Sequence, residues 1–546
     1  MNDERPDAPG VSSYATGGGG VVLEHVYGAT VLAALLIGTP FDLLGDSVLI
    51  DQVAFQARRL SPVDDLVITG TIGGPEPMRR RIAIAVRRDP VMARSDQKFV
   101  KLLGTMLQEV AENWAEVGVG TWRLGLVVAA PHSGAQQTAI LTEFARSYPD
   151  AERFREAVMA PGTTTGFVRR RLEYLEAAVA EAAKGTEGDL SAEDLTWRLL
   201  AALRVAAVRL ESDVAADRTS CVGRLQAITD GAADGAADAA ALFDRLVALA
   251  GRYVPAGAEV DSAVLRRDLA GQIRIKGSLR YSAAWSTLNR LAQRARSRTR
   301  AGLNAEGRTL EVDRGPLRAE LKAALLNAPG PRAGLMVTGD PDVGKSALAL
   351  AVADELVSEN GVVHVLNLRD LPTQTLELEH LIGGPIGDVL AAGPVSETLL
   401  LLVDGAEAVL EAWSAVFSDL SASAFAAGIA VVAVARGDAA RVCFGLPMPS
   451  GNSIDNGNAS LAVLPIARGA LPETTRPSSP CCGSSPTPQL RQTFRHAPKR
   501  PTSLLSPHAA VPHSGGAGPS RRVTRAPHDW PPLRKTALRV PTIGGP

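Results

Sequence analysis

The chain has 546 residues, 46% of them hydrophobic; at roughly 100 to 200 residues per domain this is enough for about three domains with real cores, which excludes a small peptide and a wholly disordered protein. The net charge of −1 hides two unlike parts: residues 471–546 carry 11 Lys and Arg against Glu473 and Asp529, a net of +9, so residues 1–470 carry −1 − 9 = −10. Four cysteines, two of them adjacent at Cys481 and Cys482, exclude a disulfide framework and a zinc ribbon, and the charged start and the short apolar run Ala29–Gly38 lead us to expect a cytoplasmic protein with no membrane partner.

Residues 1–16 read as a flexible leader. The run Gly17 to Gly20, taken alone, is a linker; Val21 to Ile37 behind it is dense enough in apolar residues for a buried helix. Short β-branched runs follow at Ser47–Phe55 and Leu66–Thr69, and after a Gly-Gly-Pro turn Arg81–Arg87 alternates as a half-buried strand does. Residues 97–117 read as a helix and Leu124–Ala130 as a strand ended by Pro131, so residues 17–133 form an αβββαβ domain. From 134 to 300 the pattern reads as helical throughout, including Leu195–Leu210, with Ser191 and Asp194 resembling a capping box.

A linker at Ala301–Arg308 leads into a third region, 308–445, where strands and helices alternate: Gly334–Thr338, helix Ala347–Val357, Val362–Leu368, Leu399–Val403 and Ile429–Ala435. The strands are continuous apolar runs, as a parallel sheet covered on both faces requires. Residues 451–546 hold a Pro-, Arg- and Ser-rich mixture with no lasting period, which reads as a disordered tail. That shift suits a GC-rich gene read out of frame; the alternative is a natural basic tail able to bind nucleic acid.

The densest chemistry is Gly339-Asp340-Pro341-Asp342-Val343-Gly344-Lys345-Ser346, which fits GxxxxGK[ST] between a strand and a helix. There, backbone N–H groups and the helix N-terminus would cradle phosphates, Lys345 would neutralise the β and γ phosphates, and Ser346 would bind Mg²⁺. Asp404, ending an apolar strand, is the matching carboxylate for the metal. Glu407 is the nearest acid that could polarise water, or else a solvated acid opening the next helix; Arg436 at the fourth strand's tip is a γ-phosphate sensor or an ordinary strand-end arginine.

These three elements resemble the nucleotide-binding half of a STAND NTPase, the class that includes the NACHT and NB-ARC switches. The resemblance implies an ATP- and Mg²⁺-binding regulatory ATPase that self-associates on nucleotide binding under a protein trigger. The lid, winged helix and sensor array usual in that class are not legible after Val442. In the N-terminal region, the αβββαβ order, Glu24 and Asp64-Asp65 resemble the PD-(D/E)xK fold of bacterial anti-phage effector nucleases. That resemblance implies a DNA-cutting centre at Glu24, Asp65 and Arg87, although Ala85 stands where a metal ligand is usual and Arg87 where a lysine is. A reading from a different class is a housekeeping P-loop ATPase whose first 300 residues form a non-catalytic partner-binding scaffold.

Overall fold

The computed structural model describes residues 19–439, apart from short breaks at 46, 58, 64, 73–76, 130–132, 185–189, 230–234, 300–302, 306–307, 311–313, 327–333, 397 and 437–438, together with a strand at 461–466. The chain divides into two units, Met1–Leu471 and Pro472–Pro546, and everything below concerns the first.

The N-terminal part runs α1 (Gly19–Ile37), β1 (Val48–Phe55), β2 (Leu66–Ile72), β3 (Met78–Arg87), α2 (Gln97–Glu112), α3 (Trp114–Gly118) and β4 (Trp122–Ala129). Then come α4 (Ser133–Ser147), α5 (Ala151–Met159), α6 (Gly166–Ala182), α7 (Ala192–Ala202), β5 (Leu203–Val208), α8 (Ala216–Leu225), α9 (Gly235–Ala256), β6 (Glu259–Asp261) and α10 (Ser262–Leu269). One mixed sheet, ordered β5-β4-β3-β2-β1-β6, collects all six strands; β3, β4 and β5 are parallel, and the other neighbours are antiparallel. The expected order αβββαβ holds for its first part, with α3 added.

Side chains of β3 alternate between two apolar clusters. Ile82, Ile84 and Val86 pack with α1, α8 and α9, while Ala83 and Ala85 pack with α2, α4, α6 and α7. Helix α1 is buried nearly all round because its sequence is apolar all round. Ser191 caps α7 by accepting from the N–H of Asp194 at 3.0 Å; the Asp194 carboxylate takes the Ser191 hydroxyl at 2.9 Å rather than reaching back to the backbone, so the box is one-sided.

Two expectations are corrected here. The region 134–300 is not helical throughout: the run from Leu195 turns into strand at Leu203, where Val205 and Val208 lie on a sheet edge, and Glu259–Asp261 adds a short strand at the other edge. Alanine by itself favours helix, so Leu203–Val208 owes its strand conformation to pairing with the edge of β4 and to its β-branched Val205 and Val208. The linker at Ala301–Arg308 carries β7 (Leu303–Ala305), which pairs antiparallel with β8 (Arg308–Leu310) at its far end.

The C-terminal part contains α11 (Ser282–Arg298), then, beyond β8, α12 (Gly315–Leu326), β9 (Gly334–Gly339), α13 (Lys345–Ser358), β10 (Val362–Asn367), α14 (Thr375–Ile382), α15 (Ile386–Ala391), β11 (Leu399–Asp404), α16 (Ser414–Ala426), β12 (Ala430–Arg436) and β13 (Leu461–Ile466). Its sheet is wholly parallel, in the order β10-β11-β12-β9-β13. Leu401, Val403, Val431 and Ala433 face α11, α14, α15 and α16, whereas Leu400, Leu402, Val432 and Val434 face α12 and α13. Both faces are covered, which is why the strands read as unbroken apolar runs.

Strand β13 corrects the boundaries of this region. Residues 461–466 were expected within the structureless tail after 451, yet Leu-Ala-Val-Leu-Pro-Ile pairs in register with β9 from Gly334 to Gly339. Its proline sits on an edge strand, the place where a missing N–H is tolerated. The rest of the tail lies outside the described residues. Among the described residues, no helix is long and apolar enough to cross a membrane.

Candidate functional site

Register brings four strand ends, three of them polar, to one edge of the parallel sheet. Asn367 pairs with Asp404 across β10 and β11, and Arg436 pairs with Gly339 across β12 and β9. In open parallel sheets this carboxyl edge is where ligands bind. The loop Gly339–Ser346 leaves β9 there and enters α13, whose N-cap is Gly344.

The loop turns on two left-handed residues, Asp342 (φ 60°) and Gly344 (φ 81°). Gly344 suits its position because its positive φ disfavours other residues; a β-carbon there would also displace the Arg314 guanidinium, which lies 2.6 Å from that point. Arg314 donates to the Gly344 carbonyl at 3.0 Å, fixing the loop from the chain segment just before α12.

Inside the loop, the Lys345 ammonium donates to the carbonyls of Gly339 at 2.9 Å and Asp340 at 2.7 Å. Burial lowers its pKa, opposed by the negative charges of Glu407, Asp340, Asp404 and Asp342. The Ser346 hydroxyl donates to Asp404 Oδ1 at 2.6 Å, and the Asn367 amide reaches Asp404 Oδ2 at 3.4 Å. Gly405, at φ 67°, turns the chain immediately after β11 into a 3-10 turn, Ala406–Leu410, which carries Glu407 half-buried. Loop 339–346, Asp404, Glu407 and Arg436 are thus gathered at one end of one sheet.

This donor set suits magnesium bound with phosphates. A hydroxyl and one carboxylate within hydrogen-bond distance are the protein share of such a site, the remaining positions falling to water and phosphate oxygens. Among the described residues no group of three or more His, Cys, Asp or Glu is placed to hold a metal by itself. Asn367 and Arg314 were absent from the sequence reading. Asn367 had a signal, a polar residue ending an apolar strand as Asp404 does; Arg314 had none, because its partner lies 30 residues away in a loop.

The N-terminal residues form a second constellation. Asp65, buried at the start of β2, accepts from the N–H of Val86 at 2.7 Å and forms an ion pair with Arg87. Glu24 on α1 accepts from the Gln56 amide at 2.8 Å, and the Gln56 N–H donates to the Asp65 carbonyl at 3.0 Å. The structure therefore connects Glu24, Asp65 and Arg87 through Gln56, which the sequence reading did not single out. Asp64 lies outside the described residues. Ala85 is 1% exposed in the apolar cluster beside α2, and the Arg87 guanidinium occupies the carboxylate a metal would need.

No family model matches the sequence, and no curated protein matches it. Solved structures similar to the chain include the Moraxella osloensis Cap4 SAVED/CARF-domain containing receptor, at 11% identity over 76% of this chain and 70% of that one, with a TM-score of 0.27. The Acinetobacter baumannii Cap4 receptor is similar at 8% identity over 76% and 70%, with a TM-score of 0.25. The same receptor with the cyclic trinucleotide 3'3'3'-cAAA shows 10% identity over 66% and 65%, with a TM-score of 0.26. At identities and TM-scores this low, the fold and chemistry of this chain rest on its own residues.

Proposed function

We propose that the chain binds a magnesium nucleoside triphosphate, ATP by the STAND resemblance, at the carboxyl edge of its parallel sheet and acts as a regulatory P-loop NTPase. The observation that carries the reading is the hydrogen bond from Ser346 to Asp404 beside the buried Lys345 ammonium. Two hard oxygens and a cation stand together at a helix N-terminus, the combination that triphosphate with magnesium requires.

In this reading Lys345 exchanges its two loop carbonyls for phosphate oxygens, Ser346 and Asp404 hold Mg²⁺, and Asn367 orients Asp404. Magnesium would supply charge neutralisation of the phosphates. Glu407 orients water and Arg436 faces the terminal phosphate. Self-association on nucleotide binding, a protein trigger and a role in anti-phage defence are what the STAND and nuclease resemblances imply for the whole molecule. The test is magnesium dependence: titrated with ATP, the parent chain should bind more tightly with Mg²⁺ than with EDTA. Ser346→Ala and Asp404→Asn should each lose that difference while retaining secondary structure. A Mg²⁺ effect that survives both substitutions would refute the metal assignment.

A second observation favours a non-catalytic N-terminal domain. Because Arg87 neutralises Asp65 and Ala85 is apolar, we read Glu24, Asp65 and Arg87 as a structural relic of a nuclease centre within a non-catalytic partner-binding scaffold. Incubated with plasmid DNA and Mg²⁺ or Mn²⁺, the full chain should leave it intact. Cleavage abolished by Asp65→Ala would overturn this and restore the nuclease reading.

A further inference from the structure

Helix α6 already has a full apolar face. Val168, Leu172, Leu175 and Val179 recur at helical spacing and are buried against α2, α4 and α7. Its opposite face meets solvent, yet carries Phe167, 64% exposed, and Tyr174, 60% exposed. These are the only exposed aromatic rings among the described residues, and they stand two turns apart, about 10 Å along one stripe of the helix. Single exposed apolar side chains are ordinary on a protein surface; both rings falling on one stripe of one helix is not.

Two charges complete the stripe. The Arg170 guanidinium lies over the Phe167 ring, 5.0 Å from its centroid, and Glu173 is exposed one residue before Tyr174; among the described residues neither forms an ion pair. The charges flanking the stripe are used within the chain: Glu176 pairs with Arg155 at 3.0 Å, and Arg169 donates to the carbonyls of Ala160 at 3.2 Å and Thr164 at 3.0 Å. Along the helix the open groups therefore run ring, cation, anion, ring. Turned end for end, that order is its own complement.

We propose that the Phe167–Tyr174 stripe of α6 docks antiparallel on the same stripe of a second copy of this chain. A two-fold axis passing between Arg170 and Glu173 sets each Arg170 against the second copy's Glu173 and each Phe167 beside the second copy's Tyr174, so every contact occurs twice, as an isologous interface requires. Aromatic rings and arginine are the side chains that carry most interface energy. The area is modest: four rings, each already about two-fifths covered, withdraw roughly 500 Å² on docking, and the Arg170 and Glu173 stems leave the total below the roughly 1,200 Å² of a standard interface. A transient dimer follows, with a dissociation constant on the order of 10 to 100 μM. It needs no nucleotide and no part of loop 339–346, which sets it apart from the self-association that the STAND resemblance implies.

The experiment is sedimentation equilibrium of the full chain from about 5 to about 200 μM, in EDTA and without nucleotide, where the parent should show a monomer–dimer equilibrium. Phe167→Ser should weaken association at least tenfold. Arg170→Glu, which faces the second copy's Glu173 with a like charge, should do the same, and the exchange Arg170→Glu/Glu173→Arg should recover association to within about threefold of the parent. Recovery by exchanging two charges on one chain requires that chain to be its own partner. All these side chains are exposed, so melting temperatures should stay within about 2 °C of the parent, and the charge exchange stands as the test if Phe167→Ser proves unstable. A parent that is monomeric across the range would overturn the proposal. So would a dimer indifferent to Phe167→Ser and Arg170→Glu, which would use another surface. Association lost in Arg170→Glu and not recovered in the exchange would overturn the antiparallel pairing.

Discussion

Lys345 illustrates how one side chain serves both fold and chemistry. Its ammonium is desolvated yet held by two loop carbonyls and four nearby acids, so removing it should cost some local stability of the loop and, on the proposed reading, most of the nucleotide affinity, while the domain stays folded. Asp404 and Glu407 divide along the same line. On the proposed reading Asp404→Asn should weaken magnesium-dependent binding, while Glu407→Gln should leave ATP affinity within about twofold and slow turnover by about 100-fold, since water positioning matters only in the chemical step. Single-turnover and binding measurements on both variants check this; unchanged turnover would make Glu407 a surface acid. His364 offers a test by pH. It packs against Trp285 with ring centroids 4.6 Å apart, its Nε2 buried without a partner, and burial lowers its pKa to about 4 from 6.5. Between those values the unfolded chain takes up a proton that the folded chain refuses, so stability falls as pH drops from about 6.5 towards 4, by on the order of 2 kcal/mol. His364→Phe should remove that part of the slope in urea titrations at pH 7 and pH 4.5. At this scale the sequence was most informative where a polar residue interrupts an apolar run: Asp404 and Arg436 stood out for that reason, whereas Arg314 and Gln56 act through loops whose closure no local pattern announces.

At the scale of elements, the strands of the parallel sheet were legible because burial on both faces leaves a continuous apolar run bounded by turns. Their ends came out within one or two residues, as Leu399–Asp404 and Ala430–Arg436 show. Strand β5 was not legible, because Leu203–Val208 follows an alanine-rich helix without a break and only the β4 edge makes it a strand. Strand β13 was hidden by the composition around it. Its place beside β9 yields a prediction: a chain ending at residue 450 leaves the β9 edge without its partner, and should melt several degrees lower and aggregate more than one ending at residue 470. Equal melting and solubility of the two would show that β13 adds nothing to the sheet.

At the scale of the first unit, the N-terminal and C-terminal parts meet at a polar joint. Arg266 on α10, 5% exposed, donates to the carbonyl of Leu36 at the end of α1 at 2.9 Å, to Lys276 at 3.2 Å and to Gly393 after α15. Beside it the Ser278 hydroxyl donates to Ile37 at 2.9 Å, and Ile275 exchanges backbone hydrogen bonds with Val395 at 3.3 and 2.9 Å. Arg266→Met would strand three buried carbonyls, a loss on the order of 3 kcal/mol, and should split urea unfolding into two transitions. A single transition at unchanged midpoint would show that the joint does not couple the parts. No periodicity announces such a joint, since its partners are 10, 127 and 230 residues apart in the chain.

The central claim is that loop 339–346 binds a triphosphate through Lys345, and calorimetric titration of the full chain with MgATP, beside Lys345→Ala, tests it most directly. Loss of a charge-assisted contact is worth about 1.5 to 3 kcal/mol, so the variant should bind at least tenfold more weakly while still unfolding in a cooperative transition in the absence of nucleotide. Equal MgATP affinity in a folded Lys345→Ala protein, or no MgATP binding by the parent chain, would contradict it.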